Sequence, residues 1–315
     1  MYNILDMKHI TKRFFNVIAN DGIDFSLREG EIHGLLGENG AGKTTLMKIL
    51  YGMYEADDGE IYFNGNRVKI KSPCNAINLG IGMVHQHFML VPSFTVIENI
   101  LTGLKPSLLS FFKLKSIKKH LRQMSDRYGF NIDFDAYIWQ LSVGEQQRVE
   151  ILKTLYYGAK LLILDEPTAV LTPKECEDFF SILKILIKNG LSVIFITHKL
   201  KEVMEVTHRV TVLRDGKKID TVNTVEVNEH SLARMMIGRD ISLPAEKLPL
   251  HKEALPVVRV EHISVVDDRK LPVIEQVNFV IRQGEIFGIA GVDGNGQKEL
   301  SEVLTGMRKV KKGKI

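Results

Sequence analysis

The sequence predicts an α/β sandwich built on a parallel sheet. Two continuous apolar runs, Leu161–Leu164 and Val193–Ile196, are short and end at an acid or a turn, as strands buried in a parallel sheet do. A helix is expected between them, from about Pro173 to Lys188. A glycine-rich loop joins an earlier strand, at 31–36, to a helix that begins at Lys43. Strands and helices that alternate in this way are typical of an α/β sandwich.

The other elements follow from local patterns of apolar and turn residues. Ile23–Leu27 alternates between apolar and polar residues, which predicts a strand, and Arg28-Glu29-Gly30 predicts the turn that follows it. In chain order the expected elements are short strands with turns over residues 4–36, a helix over 43–51, a helical region over about 91–158 that carries the basic stretch Lys113–Lys119, a late strand at Arg209–Leu213, and a helix through Leu232–Ile237 that ends at Gly238.

The composition excludes several classes of protein. Hydrophobic residues make up 44% of the 315 and charged residues 25%, which excludes a disordered, collagen-like or disulfide-stapled chain. The net charge of +4 is too small to indicate an extended basic surface for nucleic acid, so no nucleic-acid partner is expected. Lys309–Lys314 is a local basic patch. The two cysteines, Cys74 and Cys176, stand outside any metal-binding pattern and are expected to be reduced thiols.

The sequence shows no sign of a membrane-spanning segment. The first residues lack the charged and apolar regions of a signal peptide, and no run of about 18 apolar residues occurs. If the protein works at a membrane, partners are therefore expected to supply the spanning helices.

The most unusual feature is an internal repeat. Arg28–Gly34 matches Arg282–Gly288, and the register continues without a gap until Ile61 matches Ile315. The expected domains are a first domain over residues 1–240, a proline-containing linker over 241–256, and a second copy over 257–315 that covers about a quarter of the first. We expect the chain to be a truncated gene product or an incomplete sequence rather than a functional short form.

One loop has the pattern of a phosphate-binding site. The segment Gly37-Glu38-Asn39-Gly40-Ala41-Gly42-Lys43-Thr44-Thr45 fits G-x-x-x-x-G-K-[ST] between a strand and a helix. Its glycines let backbone N–H groups converge on phosphate oxygens, and the helix N-terminus adds partial positive charge. Lys43 is expected to reach the β- and γ-phosphates, and the Thr44 hydroxyl to ligate Mg²⁺.

The acids that end an apolar strand complete this candidate site. Asp165 is placed to hold Mg²⁺ at the carboxyl end of the strand, and Glu166 to polarise an attacking water as general base. Without the phosphate loop, both acids would simply mark the end of a buried strand. Ser142 is expected to begin a helix through a capping box with Glu145, and such a helix start also attracts anions.

Taken together, these residues resemble the ATP-binding cassette (ABC) ATPases over residues 1–240. The segments that carry the resemblance are Gly37–Thr45 (the Walker A loop), Gln86 (the Q-loop), Leu141–Gln146 (the signature), Asp165–Glu166 (the Walker B pair), His198 (the switch histidine) and Phe14 (an aromatic that stacks on adenine). This family has a RecA-like core with an antiparallel β subdomain and an inserted helical subdomain, here at about 91–158. The segments Met83–Leu90 and Asp165–Thr172 are most similar to the tandem-cassette ATPases of simple-sugar and nucleoside importers, with the nucleoside branch closer.

The resemblance implies a transport ATPase that uses ATP and Mg²⁺ at the cytoplasmic face of the membrane. Two cassettes would meet head to tail, so that Ser142 and Gly144 donate to the γ-phosphate held by a second cassette in trans. His198 would hold the γ-phosphate and the attacking water, and Gln86 would link Mg²⁺ to the membrane partner. The segment from His87 to Ile100 would dock a transmembrane permease subunit, with an extracellular substrate-binding protein in the complete system.

Two features depart from the family pattern: the segment after the Walker B pair and the second phosphate loop. Thr172 stands where many cassettes carry Asp, which affects the usual contact across the dimer. In the second copy of the phosphate loop Gln297 replaces the lysine, Lys298 replaces the hydroxyl residue and Glu299 adds repulsion, so no hydrolysis is expected there. Two alternatives stay open: a soluble ABC ATPase of the translation or repair type, and a non-functional remnant of a tandem-cassette ATPase.

Overall fold

The computed structural model describes residues 2–86, 88–102, 111–239, 254–267, 270–291 and 294–315, without the side chains of residues 111–114. It divides into two compact units, Met1–Ile241 and Ser242–Ile315, which are treated separately below. Most of the expected linker lies outside the described residues, as do His87 and two residues of the second loop, Val292 and Asp293.

The first unit contains the following elements, with bounds as observed: β1 (Asn3–Phe14), β2 (Val17–Arg28), β3 (Ile32–Leu36), α1 (Lys43–Leu50), β4 (Asp58–Phe63), β5 (Asn66–Val68), α2 (Pro73–Leu79), β6 (Ile81–Val84), α3 (Val96–Leu101), α4 (Phe111–Tyr128), α5 (Val143–Tyr156), β7 (Leu161–Asp165), α6 (Pro173–Lys188), β8 (Ser192–Thr197), α7 (Leu200–Val206), β9 (Arg209–Arg214), β10 (Lys217–Asn223) and α8 (Glu229–Ile237).

Two sheets organise this unit. The larger has the order β10-β9-β3-β8-β7-β6, and its strands run parallel except β10, which is antiparallel to β9. The smaller is antiparallel, in the order β2-β1-β4-β5. The predicted α/β fold with a parallel sheet is confirmed, as are the strands expected at 161–164 and 193–196. The expectation of short strands over 4–36 is wrong in part, because β1 and β2 are each 12 residues long.

Apolar side chains fill both faces of the parallel sheet. Helix α1 lies between the two sheets, where Leu46 and Leu50 are fully buried in one apolar cluster with Leu35 and Ile163. On the opposite face α5 and α6 pack their apolar sides on β7 and β8, with Phe180 and Phe195 in edge-to-face contact at 6.4 Å. Each fully buried side chain of this size stabilises the fold by roughly 1.5–3 kcal/mol. The packing fixes the carboxyl ends of β3, β7 and β8 relative to one another.

The second unit contains β11 (Pro256–Val266), β12 (Pro272–Arg282), α9 (Gln297–Leu304) and β13 (Lys312–Lys314), with the strands in the antiparallel order β12-β11-β13. The repeat aligns Ile286 with the buried Ile32 of β3. Residues 286–291 are not a strand, however, and Ile286 is fully exposed, whereas Ile32 is 2% exposed. A parallel strand needs neighbours on its edges, and β8 and β9 have no counterpart among the described residues of this unit.

Candidate functional site

The phosphate loop adopts the cradle that its sequence predicts. Gly42 precedes α1 with φ of 96°, a left-handed conformation that favours glycine. The Lys43 ammonium donates to the carbonyl oxygens of Gly37 at 2.8 Å and Glu38 at 2.9 Å, so it lies across the mouth of the loop. A Cβ placed on Gly40 would meet nothing within 4 Å, which shows that the loop faces open space. The loop therefore offers open space, backbone N–H groups and the Lys43 ammonium at the place where phosphates would bind.

A buried amide supports this loop from β2. Asn20 is fully buried, and its Nδ2 donates to the Gly42 carbonyl oxygen at 3.1 Å. A Cβ on Gly42 would lie 2.2 Å from the Ala19 carbonyl oxygen, so the strand and the loop are in close contact. Sequence reasoning missed Asn20, because an apolar strand gives no signal of which polar residue will lie under a loop 22 positions later.

The acid at the end of β7 lies beside the loop. The Thr44 hydroxyl donates to Asp165 Oδ1 at 3.4 Å. Burial and the neighbouring Glu166 carboxylate raise the pKa of Asp165, although Thr44 and two lysines oppose the rise. Burial lowers the pKa of Lys43, and the same two carboxylates oppose that change. A carboxylate whose charged form is disfavoured in this way provides an attractive ligand for a divalent cation.

Glu166 is held between two of the other residues predicted for catalysis. Gln86 Nε2 donates to Glu166 Oε2 at 3.2 Å, and His198 Nδ1 lies 3.0 Å from Glu166 Oε1. The Glu166 backbone has φ of 47°, an uncommon conformation for a residue other than glycine, and its N–H donates to the Ile196 carbonyl oxygen at 3.0 Å. The side chain of Glu166 is 17% exposed. The carboxylate is therefore oriented by partners on both sides.

A second polar cluster, which sequence reasoning missed, connects the segments that follow β7 and β8. Glu202 accepts hydrogen bonds from the hydroxyls of Thr168 at 2.6 Å and Thr197 at 3.0 Å. The Lys199 ammonium lies 3.0 Å from Glu202 and donates to the Thr168 carbonyl oxygen at 3.1 Å. Because Thr197 precedes His198, this cluster holds the two segments that present the candidate acid and histidine.

The phosphate loop, Gln86 and Glu166 border one open cleft of about 550 Å³, whereas Asp165 and His198 are not among its lining residues. The cleft is lined by residues 17–19 of β2, residues 39–45 of the phosphate loop and α1, Gln86, Glu166, Asp215 and Gly216. Phe14 is not among the lining residues. It packs edge-on against Tyr54, with ring centres 5.2 Å apart, while Val17 and Ile18 form the wall on that side.

The signature residues are placed elsewhere in the unit. Ser142 caps α5 as expected: its hydroxyl accepts from the Glu145 N–H at 3.3 Å, and the Glu145 carboxylate accepts from the Ser142 N–H at 2.8 Å. A Cβ on Gly144 would lie 3.0 Å from Glu175 Oε1, so the start of α6 packs directly behind the signature. Neither Ser142 nor Gly144 lines the cleft.

The structure shows what the residues at both departures from the family pattern contact. Thr172 caps α6 through a capping box with Glu175, with the two side chains 2.8 Å apart. In the second unit a Cβ on Gly291 would lie 2.3 Å from Gln297 Nε2, so this amide folds over its loop, whereas Lys298 is 74% exposed and 3.9 Å from Glu302. The second lysine is therefore turned away from its own loop.

Comparison with known proteins agrees with this geometry. Residues 20–169 match the protein family described as ABC transporter. The glucose import ATP-binding protein of Haloferax volcanii is 49% identical, over 99% of this chain and 62% of its own length. The guanosine import ATP-binding protein of Bacillus subtilis is also 49% identical, over 100% of this chain and 62% of its own length. An ATP-binding cassette of an ABC transporter, solved in its ADP conformation, superposes with a TM-score of 0.66 at 25% identity, over 76% of this chain and 100% of that chain.

The cleft, the fold and these matches define the class: the first unit is a P-loop NTPase with the fold of an ABC ATPase. More particularly, residues 20–169 match the ABC transporter family, and the relatives named above are sugar and nucleoside import ATP-binding proteins. It spans about 62% of the length of these relatives. Within the described ranges, no helix has the length and apolar content to cross a bilayer.

Proposed function

We propose that this chain binds and hydrolyses ATP to energise the import of a nucleoside or a simple sugar. The observation that carries the proposal is the position of Glu166, held between Gln86 and His198 at one side of the cleft that the phosphate loop borders. The two curated relatives, which are glucose and guanosine import proteins, share the same identity with this chain and support both substrate classes equally.

Within this proposal each residue at or beside the cleft has its own role in binding or hydrolysing ATP. The N–H groups of residues 39–45 and the Lys43 ammonium bind the phosphates. Glu166 accepts a proton from the attacking water as general base, and His198 orients the γ-phosphate from the other side. Gln86 keeps the Glu166 carboxylate directed toward the cleft. Phe14 is proposed to stack on adenine.

The residues present also fit a magnesium ion. The Thr44 hydroxyl and the Asp165 carboxylate are 3.4 Å apart and are both oxygen ligands, which Mg²⁺ prefers. The side-chain oxygen of Gln86, which also lines the cleft, would be a third ligand. When bound, the ion would neutralise charge on the β- and γ-phosphates.

The proposal includes three kinds of partner and one location. A second cassette in trans would place its nucleotide against Ser142 and Gly144, because neither residue lines the cleft of its own chain. A transmembrane permease subunit would dock at the segment from His87 to Ile100, and an extracellular substrate-binding protein would deliver the substrate. The chain would then lie at the cytoplasmic face of the membrane without spanning it. We also propose the domain limits 1–240, 241–256 and 257–315.

The proposal is tested by ATP turnover and by assembly. Lys43→Ala and Glu166→Gln are expected to abolish turnover, whereas Glu177→Gln, an exposed acid on α6, leaves it unchanged. Glu166→Gln is also expected to dimerise in the presence of ATP, as seen by sedimentation. Turnover that survives Lys43→Ala removes the phosphate loop from the chemistry. If Glu166→Gln fails to dimerise with ATP, the result supports the alternative of a non-functional remnant of a tandem-cassette ATPase. Co-purification of the protein with ribosomes rather than membranes supports the alternative of a soluble ABC ATPase of the translation or repair type.

A further inference from the structure

One carboxyl group joins the start of α6 to the signature. The two oxygens of Glu175 have different neighbours. Oε2 accepts hydrogen bonds from the Thr172 N–H at 3.0 Å and from the Thr172 hydroxyl at 2.8 Å. Oε1 lies on the other side, 3.0 Å from the point that a Cβ on Gly144 would occupy. A single carboxylate therefore bridges the beginnings of α6 and α5.

The neighbours of Glu175 favour its ionised form. The N–H and the hydroxyl of Thr172 lower the pKa of Glu175 most, and the Gly144 N–H and the Arg148 guanidinium lower it further, against the effect of burial. An N–H in the first turn of a helix has no acceptor within the helix, so Glu175 serves as the acceptor for Gly144. The proposed function assigns the same N–H to the γ-phosphate of a second cassette. Because like charges repel at such distances, the carboxylate and the phosphate exclude each other there.

Arg148 offers the carboxylate a second position. Its Nε is buried and has no hydrogen-bond partner in the part of the chain that the structure describes. A small cavity of about 20 Å³ lies beside it, and Gly144, Glu175 and Asp178 border the same cavity. A space of this size accepts about one small polar group. Since buried N–H groups nearly always have partners, Arg148 is a donor within reach of a carboxylate that leaves Gly144.

The signature helix is also joined to the segment that follows Glu166. Gln147 is 1% exposed, and its Nε2 donates to the Pro167 carbonyl oxygen at 2.9 Å. Thr172, which binds Glu175, ends the same segment. Residues 167–172 are thus connected to α5 by Gln147 at one end and by Glu175 at the other.

We propose that Glu175 holds the Gly144 N–H in the free chain and moves to Arg148 when the γ-phosphate of a second cassette arrives. The inference rests on the proposed function for that second cassette. Glu175 is then a positioning residue for the signature: its carboxylate occupies the place of the phosphate before assembly and must leave before two cassettes close. Arg148 makes the exchange possible, because a guanidinium replaces the donor that the carboxylate gives up.

Sedimentation of the Glu166→Gln protein with ATP and Mg²⁺ tests the exchange. Glu175→Gln, made in that protein, removes the charge but keeps the capping box of α6, since glutamine also serves at this position. It is expected to dimerise at about tenfold lower protein concentration, roughly threefold for each of the two contacts in a dimer, because the contact is partly exposed. Glu177→Gln, on the same helix, should change nothing. A purely structural Glu175 predicts unchanged or weaker dimerisation, and either result would overturn the inference.

Arg148→Met removes the second position of the carboxylate. In the Glu166→Gln protein it is expected to weaken dimerisation about tenfold, and beside Glu175→Gln it should have no effect, because the two residues act as a pair. An effect that persists beside Glu175→Gln would show that Arg148 acts through another group, such as Asp178, and would overturn the exchange. The same holds if Arg148→Met has no effect in either protein.

The free chain gives an independent measurement. In protein isotope-labelled at the glycine nitrogens, without nucleotide, the Gly144 amide resonance is identified by its loss in Gly144→Ala. It should move upfield in Glu175→Gln, because a neutral acceptor forms a weaker hydrogen bond than a carboxylate. An unchanged resonance would overturn the inference whatever the sedimentation shows.

ATP binding measured on the same preparations separates the two proposals. Protein that binds ATP but dimerises equally with glutamate or glutamine at position 175 contradicts only the role of Glu175. Protein that shows the change at Gly144 but binds no ATP contradicts only the proposed ATPase.

Discussion

Removal of the Glu202 carboxylate is expected to loosen both segments that present the candidate catalytic residues. Glu202 is 8% exposed and accepts hydrogen bonds from the hydroxyls of Thr168 and Thr197. Glu202→Ala leaves the hydroxyl protons of both threonines without an acceptor, at about 1–3 kcal/mol each, although the hydroxyl oxygens still accept hydrogen bonds from Lys199. The lost ion pair with Lys199, which is partly exposed, adds little. The expected local cost is therefore about 3 kcal/mol. Glu202→Gln keeps one acceptor oxygen and should cost about 1 kcal/mol.

Hydrogen exchange measured by mass spectrometry is the suitable assay, because the chain has two units and a single unfolding transition cannot be assumed. A cost of about 3 kcal/mol predicts roughly 100-fold faster exchange in the segments 161–171 and 192–206. The β1–β2 hairpin should be unaffected. Glu205→Ala, an exposed acid on the same helix α7, is the matched control and should leave exchange unchanged.

Two results would contradict this role of Glu202. The first is unchanged exchange in both segments of Glu202→Ala. The second is an equal acceleration throughout the first unit, which would indicate general loss of packing rather than release of these two segments.

Two further predictions concern Gly42 in the phosphate loop and Glu31, which directly precedes β3. Gly42→Ala should abolish nucleotide binding in a fluorescence titration, because φ of 96° costs alanine roughly 1–2 kcal/mol and its Cβ would lie 2.2 Å from the Ala19 carbonyl oxygen. For Glu31, burial alone would raise the pKa, but the His33 ring and the Arg209 guanidinium bring it from 4.5 to about 2. A depressed pKa means stability that is present above pH 4.5 and lost as the pH falls toward 2, amounting to about 3 kcal/mol. Urea titrations followed by the fluorescence of Trp139, which lies in the first unit, should therefore differ most between wild type and Glu31→Gln at pH 7 and less at pH 3.

The predicted and the observed elements agree best where the signals are local. Helix α6 has the predicted bounds, Pro173 to Lys188, because a threonine cap, a proline in the first turn and an amphipathic pattern all lie within the segment itself. The strands β1 and β2 are longer than predicted, because register shifts and a positive φ at His9 interrupt their alternation without ending them. Helices α2 and α7, of seven residues each, gave too short a pattern to be predicted.

For the candidate site, the charged residues at and beside the cleft could be predicted from the sequence. The residues that fix the position of those charged residues through hydrogen bonds could not. Lys43, Asp165 and Glu166 belong to contiguous motifs. Asn20 and Glu202 contact partners 22 and 34 positions away, and those contacts exist only because the sheet brings strand ends together. No local pattern distinguishes such residues from ordinary polar residues of a strand or a helix.

The central claim is that the first phosphate loop, and not its repeat, binds the nucleotide. The repeat supplies the control, since Lys43 lies across its loop while Lys298 is turned away from its own. Titration of a fluorescent ATP analogue in the presence of Mg²⁺ tests this directly. Lys43→Ala should weaken binding roughly 10- to 100-fold, the value of a charge-assisted hydrogen bond, and Lys298→Ala should leave it unchanged. Equal weakening by the two substitutions, or none by Lys43→Ala, would contradict the account.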